Sequence, residues 1–382
     1  MTSTTLRERR SCPCPTAPTA ATLPRMIDAH SARRDELHAF VAAQFSQQDF
    51  TLAPASADAS FRSYWRVDAG GATRIVMDAP PDKENLAPWL DIGARLRDAG
   101  LHAPEVFGVD LDRGFVLMED LGDRAYLPAL NTTSADSLYA DALDALLTMQ
   151  TQVSSQGLPA FDDAFLTMEL ELMPTWFLDR HLGHTPGCEE WDVIEPAFRL
   201  LIETARAQPQ VFMHRDFHSR NLMLYGDPHA ACENPTAHAA HGLRANPGII
   251  DFQGAVLGPI AYDLASLLRD CYIAWPIERV AAWVERYRQR LLASGVVHAS
   301  GAQFRRWFDL TGLQRHIKVL GIFCRLHYRD GKPQYLADLP LVLDYVLSVC
   351  RLYPELEAFA ELIARAIGER DIRRERAREP RA

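Results

Sequence analysis

Residues 211–224 have the sequence Val-Phe-Met-His-Arg-Asp-Phe-His-Ser-Arg-Asn-Leu-Met-Leu, in which apolar runs flank a polar centre. The apolar ends predict two short strands, and the polar centre predicts a turn between them. A further apolar strand at 248–250 ends at Asp251. Asp216 and Asn221 lie five residues apart on one loop. Their side chains can therefore face the same site.

These three residues suit the chemistry of phosphoryl transfer. That reaction uses one carboxylate to orient the attacking hydroxyl, while an amide oxygen and a second carboxylate hold magnesium against nucleotide phosphates. We therefore predict Asp216 as the catalytic residue and Asn221 and Asp251 as ligands of Mg²⁺. The alternative is that Asp216 and Asn221 are turn residues that satisfy their own backbone.

The spacing His-x-Asp-x-x-x-x-Asn, followed by a strand that ends in Asp, resembles the catalytic and metal loops of kinases. Phe217 and the segment 258–264, Gly-Pro-Ile-Ala-Tyr-Asp-Leu, are similar to the aminoglycoside phosphotransferase family. This resemblance extends from about Phe40 to Ala366 and implies a protein-kinase-like fold that uses ATP. It also implies that Asp263 supports the catalytic loop, although Asp263 could also cap the helix that follows it. We interpret His214 as a structural hydrogen-bonding residue.

The remaining pattern predicts an α+β, bilobal chain with a small β-rich N-lobe and a larger, mostly helical C-lobe. We expect a disordered extension at 1–25, an N-lobe at 26–119 that clamps the nucleotide, a C-lobe at 120–370 with the catalytic and acceptor sites, and a charged tail at 371–382. Gly70-Gly71 predicts a hairpin. Helices are predicted at 88–99, 135–150, 167–181, 192–207, 262–274, 277–294, 304–328 and 339–366, and a surface loop at 225–247.

The composition excludes several classes of protein. The 382 residues include 40 Lys and Arg against 50 Asp and Glu, for a formal net charge of −10. This balance argues against nonspecific binding to nucleic acid. No apolar run approaches the roughly 18 residues that span a bilayer. The seven cysteines lack paired zinc spacing, which predicts reduced thiols in a cytoplasmic protein. We expect a monomer that binds a small molecule and neither nucleic acid nor a membrane.

The nucleotide site departs from the usual kinase pattern. Kinases place a lysine on the third strand, but Met77 or Asp78 stands at that position here. The cations that could replace it are Arg66, Arg74 and Lys83. There is no Gly-rich loop, and the corresponding turn contains Ser60, Phe61 and Arg62. We predict nucleotide contacts from Ser60, Phe61, Arg62 and Met77, and from Glu119, Asp120 and Leu121 at the expected hinge. The alternative for the hinge is a plain strand that ends in a glycine turn.

The segment 304–332 bears on the acceptor. Arg315, Lys318, Arg325 and Arg329 share one face of the predicted helix, which indicates an anionic substrate or partner in an acidic protein. The alternative is a solvated surface helix. A polycationic aminoglycoside would instead prefer a site lined by carboxylates. The predicted substrate-binding residues are Glu171, Trp176, His218, Arg269, Arg315 and Lys318.

Several segments are similar to a narrower group, the anomeric N-acetylmuramate/N-acetylglucosamine kinases of bacterial cell-wall recycling. They are Ser60-Phe-Arg-x-Tyr, Val76-Met-Asp-Ala-Pro-Pro-Asp-Lys-Glu84, Asp251-Phe-Gln, Leu267-Leu-Arg-Asp-Cys-Tyr272 and Gln314-Arg-His-Ile-Lys-Val-Leu-Gly-Ile-Phe-Cys-Arg-Leu. The resemblance implies ATP-dependent phosphorylation of the sugar C1 hydroxyl, which gives α-1-phosphates. Two alternatives stay open: a kinase for another small alcohol such as an aminoglycoside, choline or homoserine, and a catalytically silent protein that binds nucleotide.

Overall fold

The computed structural model of the chain describes residues 23–45, 49–57, 61–225 and 246–375. Its contacts divide the chain into two compact units. The first contains residues up to Glu84 together with Val106–Met118, and the second contains Asn85–Glu105 and the chain from Glu119 onward. The first is rich in strands and the second is mostly helical, which confirms the α+β class expected from the sequence. Residues 1–22, most of the 225–247 loop and the tail from 376 lie outside the described residues.

The first unit is built on a five-stranded sheet and one helix. Its strands are β1 (Thr51–Ala57), β2 (Ser63–Ala69), β3 (Ala72–Asp78), β4 (Val106–Asp110) and β5 (Phe115–Glu119), in the order β1-β2-β3-β5-β4. The pairs β1–β2, β2–β3 and β4–β5 are antiparallel. Helix α1 (Leu23–Gln44) buries Leu37 and Phe40 in one cluster with Val67, Val76 and Phe115. The sheet and this helix thus share one apolar core.

The turn between β2 and β3 is the hairpin that Gly70-Gly71 predicts. Both glycines have positive φ, at 65° and 90°, which residues without a Cβ adopt at no steric cost. Asp68 Oδ1 accepts the N–H of Gly71 at 2.9 Å and closes the turn. The register that follows places Met77 opposite Tyr64 and Asp78 opposite Ser63.

The second unit consists mainly of helices. They are α2 (Ala87–Asp98), α3 (Tyr126–Ala129), α4 (Ala135–Gln152), α5 (Asp163–Leu170), α6 (Cys188–Arg206), α7 (Tyr262–Leu268), α8 (Ile277–Ala293), α9 (Gly301–Tyr328), α10 (Leu339–Cys350) and α11 (Glu357–Ile367), with a π-helix at Met173–Leu182 and 3-10 turns at Pro333–Asp338 and Pro354–Leu356. Side-chain caps begin two of them: Asp162 accepts the N–H of Phe165 at 2.9 Å, and Ser300 accepts that of Gln303 at 3.3 Å. None of the helices in the described ranges is long and apolar enough to cross a membrane.

Two pairs of short antiparallel strands interrupt the helices. β6 (Gln210–Met213) pairs with β9 (Val256–Pro259), and β7 (Leu222–Met223) pairs with β8 (Gly248–Ile249). The loop with Asp216 and Asn221 therefore connects β6 to β7, and Asp251 lies just after β8. The predicted arrangement of strand, turn and strand is confirmed, and it fixes both ends of each polar segment.

Helix α9 runs through the main core of the second unit. Its apolar residues Leu313, Ile317 and Leu320 are fully buried and pack in one cluster with the π-helix, α6, α10 and α11. Gly321 allows the closest approach, because a Cβ there would lie 2.3 Å from the carbonyl carbon of Leu172. This close approach to a neighbouring backbone fixes the position of α9 next to Leu172.

The predicted helix at 167–181 is wrong in one respect. The chain forms α5 up to Leu170 and then widens into the π-helix from Met173. Pro174 cannot donate the i→i−4 hydrogen bond of an α-helix, and local widening of the turn accommodates that loss. Similarly, α7 ends at Leu268, earlier than predicted.

The Gly321 contact predicts a specific loss of stability. Gly321→Ala places a methyl group against the backbone of Leu172, and we expect it to lower the free energy of unfolding by about 1–3 kcal/mol. The matched control is Gly312→Ala on the same helix, where a Cβ would lie 3.5 Å from Ala265 Cβ, an ordinary contact. Gly312→Ala should be neutral or stabilising by up to ~1 kcal/mol. Urea unfolding measures both, and equal stabilities would contradict the close approach.

Candidate active site

The backbone of the loop between β6 and β7 is held by one buried carboxylate. Asp263, in the first turn of α7, accepts the N–H of His214 at 2.7 Å and the N–H of Arg215 at 2.9 Å. Arg215 has a φ of 77°, in the left-handed region that side chains other than glycine rarely adopt. Burial raises the pKa of Asp263 to about 7, against the opposing effect of the two N–H groups. Asp263 thus lies where the family resemblance implies a support for the catalytic loop.

Asp216 follows directly and remains ionised. Its N–H donates to Nδ1 of His214 at 3.3 Å. Burial opposes its ionisation, but the positive charge of Lys318 and that of Arg315 outweigh burial and hold the pKa of Asp216 below its ordinary value. A carboxylate in this state can accept a hydrogen bond, and then a proton, from a substrate hydroxyl.

Asn221 and Asp251 lie together. Asn221 Nδ2 donates to the backbone carbonyl of Asp216 at 3.0 Å and to Asp251 Oδ2 at 3.2 Å. Gln253 Nε2 donates to Asp251 Oδ1 at 2.7 Å, and Asp251 has a φ of 63°. The two amides therefore orient the carboxylate of Asp251 at the end of its strand.

This pair fits the requirements of Mg²⁺. Its donor atoms would be an amide oxygen and a carboxylate, and Mg²⁺ prefers such oxygen ligands. In phosphate-transfer sites the ion takes only one or two carboxylates and completes its shell with phosphates and water. The described part of the chain contains no group of three or more His, Cys, Asp or Glu side chains that could hold a metal.

A cavity of about 280 Å³ adjoins Asp216 within the second unit. Its volume lies near the lower end of the range for small-molecule sites. The lining side chains come from α5, the catalytic loop, the segment after α7, and α9. They are Met168, Glu169, Leu172, Arg215, Asp216, His218, Cys271, Tyr272, Arg315, Lys318, Val319, Ile322, Phe323 and Arg325. Four of them are Arg or Lys and two are Asp or Glu, so the lining carries a surplus of positive charge.

Glu169 joins three elements of this lining. Its Oε1 contacts Lys318 Nζ at 2.9 Å and Arg215 Nη2 at 3.0 Å, and its Oε2 accepts a hydrogen bond from Gln314 at 3.2 Å. Burial raises the pKa of Glu169, but the two cations outweigh burial and keep that pKa below its ordinary value. Lys318 also donates to the hydroxyl of Tyr262 at 3.2 Å. Glu169 thus fixes Lys318 and Arg215, which line the same cavity as Asp216.

Three of the six predicted substrate-binding residues line the cavity: His218, Arg315 and Lys318. The two cations on α9 are buried, with 4% and 7% of their surface exposed, so the alternative of a solvated surface helix is wrong for them. Arg315 donates to Cys271 Sγ at 3.1 Å.

The other three lie elsewhere. Arg269 is buried in an ion pair with Asp309 at 2.5 Å. Glu171 is exposed at the C-terminal end of α5, and Trp176 packs partly buried on the main core. None of the three lines the cavity, and their contact with substrate stays a prediction.

The predicted phosphate-binding turn belongs to the first unit. Ser60 lies outside the described residues. Phe61 is 65% exposed, and its N–H donates to Glu84 Oε1 at 3.3 Å. Arg62 is buried and forms an ion pair with Glu84 Oε2 at 3.0 Å. Lys83 Nζ lies 4.9 Å from the centre of the Phe61 ring.

On β3, the two residues at the position of the usual kinase lysine offer no free charge to a phosphate. Met77 is fully buried, and the carboxylate of Asp78 pairs with Arg33 of α1 at 2.5 Å. Arg74 lies 4.0 Å above the ring of Phe107. Arg62, by contrast, forms an ion pair with a glutamate, as the strand lysine of kinases does.

The predicted hinge follows β5. The carboxylate of Glu119 accepts the N–H of Glu105 at 3.2 Å and lies 3.0 Å from Nε2 of His102. Asp120 accepts the N–H of Gly122 at 2.9 Å, and Leu121 is buried. The Glu119 and Asp120 side chains thus shape the segment, and adenine contacts by its backbone stay a prediction.

Of the charged residues that line the cavity, Arg215 was not predicted, whereas Arg325 was predicted only as part of the cationic face of the helix. Arg215 stands inside the quoted motif between His214 and Asp216, where its identity was a visible signal. Glu169 lies on the helix predicted at 167–181, but its ion pairs had no local signal, because the partners come from other elements. Asp270, within the segment 267–272 that carries the narrower resemblance, accepts hydrogen bonds from the N–H and the hydroxyl of Ser219 in the loop between β6 and β7.

Comparison with known families matches residues 51–232 and 240–307 to the model of the phosphotransferase enzyme family. The chain belongs to this family. The matched residues of this phosphotransferase include the catalytic loop, Asp251 and Asp263. The family assignment makes the chain an enzyme of phosphoryl transfer, in agreement with the site geometry.

Relatives with similar sequences carry a more specific name. A protein of Pseudomonas putida is 43% identical over 315 residues, which span 82% of this phosphotransferase and 88% of the relative, and is named N-acetylmuramate/N-acetylglucosamine kinase. A protein of Neisseria meningitidis with the same name is 36% identical, and the alignment covers 89% of this chain and 98% of the relative.

Solved structures share the fold at low sequence identity. A choline/ethanolamine kinase family protein of Mesorhizobium loti has a TM-score of 0.56 at 15% identity, with coverage of 87% of this chain and 99% of that one. Aminoglycoside phosphotransferase APH(4)-Ia has a TM-score of 0.52 at 14% identity, with coverage of 84% and 98%. These likenesses confirm the protein-kinase-like fold expected from the sequence.

The buried His214 predicts a pH dependence of stability. Burial lowers the pKa of His214 to about 4, against the charge of Asp216, which raises it. In the unfolded chain a histidine binds a proton below about pH 6.5. The folded pKa is therefore the lower one, so stability is lost as the pH falls from 6.5 towards 4, at about 1.4 kcal/mol per pH unit.

We expect His214→Gln to remove this contribution. Between pH 7.0 and 5.5 the variant should lose about 1 kcal/mol less of its free energy of unfolding than the unmodified chain. His298→Gln, at an exposed position, is the matched control and should behave as the unmodified chain. Urea unfolding at the two pH values measures the difference, and identical losses in all three proteins would refute it.

Proposed function

We propose that this phosphotransferase transfers the γ-phosphoryl group of ATP to the C1 hydroxyl of N-acetylmuramate and N-acetylglucosamine, and that the sugar α-1-phosphates serve peptidoglycan recycling. The observation that carries the proposal is the cavity beside Asp216, whose size suits one sugar and whose lining holds a surplus of cations. The names of the relatives in Pseudomonas putida and Neisseria meningitidis support the same acceptors. We propose that the enzyme acts as a cytoplasmic monomer.

Asp216 is the residue that meets the acceptor. Its pKa lies below the ordinary value because nearby cations outweigh burial, so it is ionised before substrate binds. An anomeric hydroxyl is more acidic than an ordinary alcohol, and a carboxylate can orient it and accept its proton as the new O–P bond forms and the bond to ADP breaks. His214 is neutral at pH 7 because burial lowers its pKa, so it acts as a hydrogen-bonding support.

Asn221 and Asp251 would hold Mg²⁺ through an amide oxygen and a carboxylate. The ion would neutralise charge on the phosphates when it is bound. The chain's own contribution is to fix the two ligands: Asn221 bonds the backbone of Asp216, so the metal ligand and the catalytic residue share one rigid loop. Gln253 keeps the carboxylate of Asp251 in place.

Arg62 is the cation that we propose for the nucleotide phosphates. Kinases pair their strand lysine with a glutamate that fixes it. The Arg62–Glu84 pair has the same chemistry and is largely buried, with 6% and 14% of the two side chains exposed. Arg74, by contrast, lies over an aromatic ring. Phe61, with its N–H on Glu84, extends the same turn.

The charge of the cavity separates this proposal from the closest alternatives. Aminoglycosides and choline are cations, and a lining with four Arg or Lys side chains against two carboxylates disfavours them. A silent nucleotide-binding protein would have no use for an ionised Asp216 beside a cavity.

Turnover of a panel of acceptors tests the function. With Mg-ATP, we expect ADP release with N-acetylmuramate and N-acetylglucosamine, loss of the reducing end, and no ADP release with kanamycin or choline. Asp216→Asn should lower kcat by about 100- to 10,000-fold without unfolding the chain, because it removes the proton acceptor. Asp192→Asn, on the exposed face of α6, is the matched control. Turnover of choline or kanamycin alone, or an active Asp216→Asn variant, would overturn the proposal.

The phosphate-binding role of Arg62 is tested by the KM for ATP. We expect Arg62→Met to raise that KM by about 10- to 100-fold, the usual range for loss of a charged hydrogen bond, with little change in the KM for the sugar. Arg74→Met removes a positive charge from the same unit and should leave both constants unchanged. The assignment is wrong if Arg74→Met has the larger effect.

A further inference from the structure

The cations that line the cavity differ in how they are neutralised. Arg215 and Lys318 share the carboxylate of Glu169, at 3.0 Å and 2.9 Å. Asp216 is the second carboxylate of the lining, and among nearby charges that of Lys318 has the largest effect on its pKa. These four side chains form a balanced group. The two remaining cations of the lining, Arg315 and Arg325, have no carboxylate of the cavity as a direct partner.

Arg315 is satisfied by groups behind the lining. It donates to Cys271 Sγ at 3.1 Å, and the charge of the buried Asp270 also acts on it. Its pKa is raised in spite of burial, because the surrounding thiol, phenol and carboxyl groups favour the charged form. Arg315 is therefore charged and compensated before any ligand binds.

Arg325 is not compensated in this way. Its Nε is buried without a hydrogen-bond partner, and among the described residues its side chain forms no ion pair. The nearest acidic residue on its own helix end, Asp330, is bonded to Arg329 at 2.7 Å and 3.0 Å. Burial and the charge of Arg329 lower the pKa of Arg325, and the charge of Asp330 offsets them only in part. A guanidinium always carries its charge near neutral pH, so this donor needs an acceptor.

We propose that Arg325 binds the carboxylate of an anionic acceptor and so determines which acceptor the cavity prefers. The inference rests on the proposed function, and it deepens that function. N-acetylmuramate differs from N-acetylglucosamine by a lactyl ether that ends in a carboxylate, and the planar fork of an arginine matches a carboxylate with two hydrogen bonds. N-acetylglucosamine has no anion for Arg325 and depends on the rest of the cavity.

Arg325 is placed to act at a distance from the reacting atoms. It lies seven residues after Lys318 on α9, which is close to two helical turns, so both side chains can face the same cavity. The apolar side chains of Ile322 and Phe323 line the wall next to it. The reacting hydroxyl and the carboxylate can therefore be held at opposite ends of one ligand.

The decisive experiment is a comparison of two acceptors in two enzymes. Arg325→Gln should lower kcat/KM for N-acetylmuramate by roughly 10- to 100-fold, mainly through KM, because a charged hydrogen bond is lost on binding. For N-acetylglucosamine the same variant should stay within about 3-fold of the unmodified enzyme. Arg325→Lys, which keeps the charge without the fork, should fall between the two. Arg329→Gln removes a positive charge one turn further on, at an exposed and paired position, and should have no effect on either acceptor.

A modified substrate tests the role of Arg325 independently of any variant. The methyl ester of the lactyl group removes the negative charge of N-acetylmuramate, so the unmodified enzyme should lose about as much kcat/KM on the ester as Arg325→Gln loses on the acid. The variant should distinguish little between acid and ester. This arm needs no folded variant, so an Arg325→Gln chain that fails to fold leaves the proposal open to refutation by the unmodified enzyme alone.

The outcomes distinguish a failure of the proposed function from a failure of the role of Arg325. If the unmodified enzyme turns over neither sugar, the proposed function falls, and with it the role of Arg325. If it turns over both but Arg325→Gln slows them equally, or the ester reacts as well as the acid, the kinase function stands and the role of Arg325 is refuted. If instead the KM for ATP rises with both acceptors, Arg325 binds a nucleotide phosphate and the proposal is again overturned.

Discussion

The active-site geometry depends on one buried carboxylate that accepts two backbone N–H groups. Asp263 holds the amides of His214 and Arg215, and this fixes the left-handed turn at Arg215 from which Asp216 projects. A positive φ at a side-chain-bearing residue persists only when its surroundings determine it strongly. Asn221 then bonds the carbonyl of Asp216 from the other end of the loop. The positions of Asp216 and Asn221, the proposed catalytic residue and metal ligand, are therefore set by hydrogen bonds to the backbone of their loop.

The cations around this loop fall into two groups, those paired with a carboxylate of the cavity and those without such a partner. Glu169 neutralises Arg215 and Lys318, and it does so from α5 while Lys318 comes from α9. Removing one partner of such a buried group leaves another charge uncompensated, which is more costly than losing the contact itself. Arg325 lies outside this balanced group. The division separates cations that stabilise the site from a cation available to a ligand.

The sequence predicted the local features well, because their information is local. The strand–turn–strand pattern around Asp216, the hairpin at Gly70-Gly71 and the α+β class all follow from patterns within short segments. The π-helix could not be predicted from apolar spacing, since Pro174 only disrupts an α-helix and does not specify what replaces it. The Glu169–Lys318 pair joins elements far apart in the chain, and no local pattern encodes such a contact. For the same reason Arg269 looked equivalent to Arg315 before the structure placed it on Asp309.

Helix α9 sets the spacing between the cations that line the cavity. Gly321 brings it close to the backbone of Leu172, and its apolar side chains are packed in the main core of the second unit. Lys318 and Arg325 are separated along the helix axis by about 10 Å, from seven residues at a rise of 1.5 Å each. A substitution on α9 can therefore move the cation along the cavity only in steps of about 1.5 Å per residue. Ile322→Arg, which adds a guanidinium about 4.5 Å nearer the reacting end, would suit an acceptor shorter by the same length. With the role proposed for Arg325, the length of acceptor that suits this cavity corresponds to a number of residues along α9.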